Sequence, residues 1–213
     1  MAITYPLLVP GAIGESEANL KKYDAVGEVI SPFAGSAQQQ QWQDQHWELD
    51  LVWPEMTWPQ AAALDAFMGA LHGKYGSFVW SPPQAVHPLG SGSGSPIALS
   101  TGGANQPGSN LIVSTGWTPN TAGLLLPGDF LEVAAVATLP RLYQYVGQVP
   151  LASGAFGIAN IDIFPSIREA LPNNQPIIIN GPAGTFRLAV NRREAPEKRT
   201  RTFTFQLKAR EAV

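Results

Sequence analysis

No cysteine occurs among the 213 residues, which excludes disulfides and thiolate metal centres. Charge is sparse, with Asp, Glu, Lys and Arg together at 14%. Cations are not in excess: the formal net charge is −3, whereas affinity for phosphate needs a basic footprint, so a dedicated nucleic-acid binder is not expected. Histidine occurs only at His46, His72 and His87, without metal-type spacing and without an H-E-x-x-H. No apolar run approaches the roughly 18 residues that span a bilayer, so no membrane partner is expected. The N-terminal stretch MAITYPLLVPGAIGES lacks a basic n-region and is interrupted by Pro6 and Pro10, so it reads poorly as a signal peptide. There is no G-x-S-x-G elbow and no Walker loop, and the GSGSGS run at 90–95 lacks both the G-x-G-x-x-G pattern and a following helix. No catalytic, cofactor-binding or metal-binding residues are therefore expected, and the chain does not read as an enzyme.

What the chain has is glycine and proline, 21 and 19 of them, which favours a turn-rich β protein over a helical one. The clearest strand is His46 to Trp53. Trp47, Leu49, Leu51 and Trp53 fall on one face, and His46, Glu48 and Asp50 on the other, the period of two expected where one side is buried. Pro54 cannot donate to a ladder and ends it. A single helix is predicted over Trp58–His72. Thr57 is its N-cap, Gln60 stands at capping-box spacing, and Leu64, Phe67, Met68 and Leu71 form one apolar stripe. Gly73 is the expected C-cap, and Gly76 turns the chain into the strand Ser77–Trp80.

The organisation reads as one unit interrupted by another. Tyr5 to Val29 reads as turn with short extended pieces. After Pro82-Pro83 the GSGSGS stretch reads as a linker or long hairpin tip. Five short strands then follow between Pro96 and about Ala183, near 110–113, 129–135, 141–148, 158–164 and 176–179, which suits a small closed barrel. After Gly184, Phe186, Leu188 and Val190 alternate with polar or small residues, as do Phe203, Phe205 and Leu207, so a hairpin with 191–200 as its tip is predicted. The expected fold class is mainly β: a β-sandwich-like hub with one α-helix, formed by 1–83 plus 184–213, interrupted at 84–183 by a small OB-like antiparallel β-barrel. The two units are expected to be separable.

Several segments, in this order, resemble the hub domain of siphophage-type distal tail proteins. They are SPFAG, the Gln38–Gln41 run, HWELDLVW with its exit Trp53-Pro54-Glu55-Met56, the single helix, and GKYGSFVW. Further on, Gly128-Asp129-Phe130-Leu131-Glu132 resembles the family's AGDYIQ-type strand start. Phe164-Pro165-Ser166-Ile167-Arg168-Glu169-Ala170, with Gly184-Thr185-Phe186-Arg187-Leu188-Ala189 beyond it, resembles its WPRLR…KGxFRLA run. The resemblance implies a structural virion protein: a homo-oligomeric ring, generally a hexamer, joining the tail tube to the tail-tip hub or baseplate. It implies a location at the virion tail tip after synthesis in the bacterial host cytoplasm. The implied partners are further copies of the chain, the tail tube protein and the tail-tip hub or baseplate proteins, with DNA only as a transient passenger through the lumen during genome ejection. No cofactor is implied. Another tail component (a tube or terminator protein) and a carbohydrate-binding β module are the alternatives.

Two groups of residues bear on such a role. Of the six tryptophans, Trp47, Trp53 and Trp80 read as core because their strand neighbours are apolar, while Trp42 and Trp117 are left open. The cluster Arg192, Arg193, Lys198, Arg199 and Arg201, mixed with Glu194 and Glu197, fits inter-subunit ion pairs, a DNA-facing channel or a solvated hairpin tip. Under the resemblance, the candidate ring-interface residues are Trp42, Trp47, Arg192, Arg193, Lys198, Arg199 and Arg201. The ring wall is expected near Trp47 and Phe203, with 84–183 at the periphery.

Overall fold

A computed structural model describes residues 3–11, 14–33, 35–134, 139–191 and 202–212. The chain is mainly β with one helix. In chain order the first strands are β1 (Leu7–Leu8), β2 (Glu17–Tyr23), β3 (Val26–Ile30), β4 (Ala37–Gln41), β5 (His46–Val52) and β6 (Met56–Thr57). The helix α1 (Trp58–Ala70) and β7 (Ser77–Trp80) follow. Next come β8 (Gly94–Ala98), β9 (Leu111–Trp117), β10 (Phe130–Val133), β11 (Arg141–Tyr145), β12 (Ala159–Phe164) and β13 (Ile177–Ile178). The chain closes with β14 (Gly184–Leu188), β15 (Thr202–Phe203) and β16 (Gln206–Glu211).

Two six-stranded sheets organise these elements. The first has the order β1-β7-β14-β16-β5-β2, so its strands come from both ends of the chain. Its β1–β7 pair is parallel and the other pairs are antiparallel. The second has the order β13-β10-β11-β12-β9-β8 and lies wholly within 94–178. It nearly closes on itself: Ile97 bridges Pro176, and the Ala98 amide donates to the Gln175 carbonyl at 2.7 Å. The small antiparallel barrel expected from the strand spacing is present, built from six strands where the OB template has five.

The sixth strand is β8, which begins inside the stretch read as a linker or long hairpin tip. That reading is corrected by packing. Ser91 and Gly92 donate to the carbonyls of Gly123 and Leu124 at 2.8 and 2.9 Å, and Gly94 enters the ladder against Trp117. A Cβ on Gly94 would meet the Gly116 carbonyl oxygen at 2.6 Å, so two backbones approach closely there, and the register shifts between Gly94 and Ile97 around Pro96. Asp129 fastens the run from below, its carboxylate accepting the amides of Leu89, Gly90 and Leu126 at 2.7, 3.1 and 2.8 Å.

The helix begins where the sequence says, with the Thr57 amide donating to Gln60 Oε1 at 3.1 Å. It ends two residues earlier than predicted, and both His72 and Gly73 take the left-handed conformation at its exit. Its stripe Leu64, Phe67, Met68 and Leu71 is buried against the first sheet, where the Phe67 and Phe78 rings meet edge to face at 5.8 Å. The same core takes Trp47, Leu49, Leu51 and Trp53 from β5 and its exit, Trp80 from β7, Phe186 and Leu188 from β14, and Leu207 and Ala209 from β16.

This core does not stop at the barrel. Leu142 and Phe164, from β11 and β12, belong to it. Trp47 Nε1 donates to the Leu142 carbonyl at 2.9 Å, and its ring meets Phe164 edge to face at 5.0 Å. The expectation of separable units therefore changes: removing 84–183 would uncover Trp47 and leave its N–H without that acceptor. The predicted hairpin near the C-terminus forms as β14 against β16, with Phe203 diverted into β15 opposite Met56. Its tip beyond Asn191 lies outside the described residues.

The segment before Val29 differs most from expectation. It contains β2, a seven-residue strand with Leu20 half-buried and the other residues exposed. Without apolar alternation it carries no strand signature. Its ladder to β5, from Glu17 opposite Val52 to Tyr23 opposite His46, holds it extended.

Candidate functional site

The same hairpin continues beyond the sheet. In β2–β5 the paired residue numbers sum to 69 (Tyr23 with His46), and in β3–β4 they sum to 67 (Val26 with Gln41). One long hairpin thus runs out and back, with a wide bulge where Asp24-Ala25 faces 42–45. Its base, β2 and β5, lies in the sheet. Its distal half, β3 and β4, pairs with no third strand among the described residues. Nine of these ten distal residues are exposed, and only Gly27 is half-covered.

The distal ribbon reaches about 17 Å along its strands at 3.4 Å per residue. Its turn is closed by the Ser31 amide donating to the Ser36 carbonyl at 2.9 Å, with Gly35 at φ +64°. Apolar side chains stand in water along it: Val26 at 55% exposure, Val29 at 71%, Ile30 at 61% and Phe33 at 99%. The Gln run forms the returning strand, and Gln39 Nε2 donates to Glu28 Oε1 across the ladder at 3.3 Å. Glu28 is the ribbon's one charged residue. Trp42 is 57% exposed at the ribbon's foot, its ring over Gly27, where a Cβ would come within 3.1 Å of Nε1.

Of the seven candidate interface residues, Trp42 therefore lies on a free surface. Trp47 is corrected to an internal residue: it is 1% exposed, and its ring and N–H are both engaged by the barrel. Arg192, Arg193, Lys198, Arg199 and Arg201 lie outside the described residues. The tryptophans left open divide, with Trp117 buried and donating to Ser114 Oγ at 2.8 Å. The residues missed from sequence are Val26, Val29, Ile30 and Phe33. A signal for them existed: VGEVI and AQQQQ are five-residue segments flanking the turn, which is a hairpin pattern.

The histidines and a buried carboxylate elsewhere have neighbours within the fold. His46 is buried beside Tyr23, its ring-centroid distance 4.5 Å, with Asp44 Oδ1 3.2 Å from Nδ1. His87 Nδ1 lies 3.3 Å from Asn180 Oδ1. Burial pushes the Glu132 carboxyl above its usual range, partly offset by the Ala183 amide donating to it at 2.9 Å. Among the described residues no three His, Asp or Glu side chains gather as a metal site, and no helix is long and apolar enough to cross a membrane. No family model matches the chain, and a search of curated proteins finds no relative.

Proposed function

We propose that this chain is a structural component of a phage tail tip, a distal tail ring that joins the tail tube to the tail-tip hub and leaves a lumen for DNA. The ordered motifs from SPFAG to GTFRLA support the family. The observation that carries the assembly reading is the ribbon β3–β4. An isolated two-stranded hairpin is marginally stable in water, and this one adds an apolar tip to two edges that are unpaired among the described residues. Such edges are aggregation hazards unless another chain occupies them, and identical copies arranged head to tail close into a ring when the rotation per copy divides a full turn. The ribbon of one copy then lies on the next.

The sugar-binding alternative is left with only Trp42 and Trp58, 57% and 52% exposed, because Trp47, Trp53, Trp80 and Trp117 are each 5% exposed or less. Mass photometry and negative-stain imaging of the full chain test the ring reading. The expected result is a closed ring, six copies by the resemblance, that persists on dilution. A single-copy mass up to near-millimolar concentration, with the chain folded, overturns it.

A further inference from the structure

One short segment of the barrel holds the foot of the ribbon. After β12 the chain runs Pro165-Ser166-Ile167-Arg168, and its successive groups point to different parts of the molecule. Phe164, just before it, enters the first sheet's core against Trp47. Ile167 is 1% exposed in the barrel core, and its amide and carbonyl are tied to Ser109 and Gly108 at 2.8 and 2.7 Å. The remaining two groups reach the ribbon's foot. The Ser166 amide donates to Gln45 Oε1 at 3.1 Å, and Arg168 Nη1 donates to the Gln43 carbonyl at 2.6 Å. Gln45 passes the tie across the bulge, its Nε2 donating to Asp24 Oδ1 at 2.8 Å. Both strands of the hairpin are thereby fixed to the barrel at the point where they leave the sheet.

The bulge is where no regular ladder joins the two halves of the hairpin. The ladder is interrupted between the Tyr23–His46 and Val26–Gln41 pairs, and within it the Trp42 amide donates to the Ala25 carbonyl at 2.8 Å. Arg168 Nε and Nη2 are buried there without a hydrogen-bond partner among the described residues, so its guanidinium holds the Gln43 carbonyl through one nitrogen. Gly108 leaves room for the Gln43 side chain: a Cβ there would come within 2.6 Å of Nε2.

We propose that Ser166 and Arg168 form a latch by which the barrel sets the direction of the β3–β4 ribbon. Among the described residues the ribbon pairs with no third strand, so the latch at its foot sets its angle to the sheet, and a displacement of the barrel moves the ribbon. In an assembled ring the barrel would then govern how neighbouring copies meet. That consequence rests on the ring reading; the latch does not.

The test uses the full chain, diluted to single copies, and benefits from the absence of native cysteine. Spin labels go on Gln38→Cys in the ribbon and Gln148→Cys on the barrel, both exposed positions. The measured quantity is the distribution of distances between them. A narrow distribution is expected with the latch intact. Arg168→Met and Gln45→Leu, each confirmed as folded by its melting curve, are expected to broaden it about twofold, and Arg168→Lys, which can still donate to the Gln43 carbonyl, to restore much of the narrowness. An unchanged distribution in both folded latch variants overturns the proposal. So does broadening that Arg168→Lys leaves untouched, since the Gln43 tie would then carry no part of it. If either variant fails to fold, the other decides.

Discussion

The two halves of the long hairpin have similar backbones and opposite circumstances. At the base, β5 alternates buried Trp47, Leu49 and Leu51 with wetter Glu48 and Asp50, and β2 and β16 flank it on both edges. Beyond the bulge, β3 and β4 pair only with each other among the described residues, and nearly all of their residues are exposed. Hydrogen bonding along the ladder is common to both halves, so the ladder is not what distinguishes them. Burial of one face is, and each fully buried large side chain at the base contributes about 1.5–3 kcal/mol that the ribbon has no means to gain within one copy. Stability at the base comes from within the chain; under the proposed ring reading, stability at the ribbon comes from a second copy.

The largest effect on folding is expected at Trp47. Trp47→Ala removes contacts with Phe130 and Phe164 and takes away the donor to the Leu142 carbonyl. Such a substitution costs about 3–5 kcal/mol, lowering the melting temperature on the order of 10 °C for a chain this long. Lys22, opposite Trp47 in the ladder and over its ring at 5.9 Å, would lose its apolar seat as well. Thermal denaturation measures the shift. A change under about 1 kcal/mol would mean that the two sheets do not share a core there.

That junction also marks the limit of what the chain's letters disclose. Alternation in His46–Trp53 and the i, i+3, i+4, i+7 stripe Leu64, Phe67, Met68 and Leu71 were legible because burial on one side imposes a period. The barrel strands were legible because turn residues separate them. β2 was not, since a strand exposed on both faces has no periodic constraint and exists through its partner. β8 was hidden for a different reason: Gly94 and Pro96 are strand-breaking residues that a bulge accommodates. The latch was beyond reach, because Gln43, Gln45, Ser166 and Arg168 are far apart in the chain and each is an ordinary polar residue alone. Trp47 was correctly read as core from its alternation, and that reading conflicts with using its ring as an outward interface.

A smaller effect is expected at Glu211, on the strand next to β5. Glu211 is 3% exposed, with the Trp47 amide donating to its Oε2 at 3.3 Å. Burial holds its pKa above the usual carboxylate range, opposed by the charges of Arg168, Arg141 and Arg210 and by the Trp47 amide. Tyr143 and Glu169 share the junction, and Glu169 is engaged by Arg141 at 3.0 Å. Because the folded chain holds this proton more tightly than the unfolded chain, the group's contribution is greatest at low pH and is lost as pH rises from about 4.5, the unfolded value, through the raised folded value. Glu211→Gln should therefore melt higher than the parent at neutral pH, since it removes a carboxyl whose charged form is disfavoured by burial. The gap should close toward pH 4.5. A gap independent of pH would assign the effect to packing instead of charge.

The smallest folding effect is expected on the ribbon, where the comparison is sharpest. Ile30 and Phe33 are 61% and 99% exposed, so Ile30→Asp with Phe33→Asp removes almost no buried surface from the protomer and should change its stability by no more than about 0.5 kcal/mol. The same pair of substitutions places two carboxylates where a neighbouring copy is proposed to cover apolar side chains, and burying an unpaired charge is far more expensive than exposing a phenyl ring. Melting curves of the dilute chain should thus be nearly superimposable while the ring population in mass photometry collapses. Trp47→Ala should do the reverse, lowering the melting temperature in dilute samples while leaving the ribbon's apolar tip in place. If the double ribbon variant assembles as well as the parent, the tip is not an inter-subunit contact, and the joint between copies has to be sought on another edge, such as the unpaired side of β2.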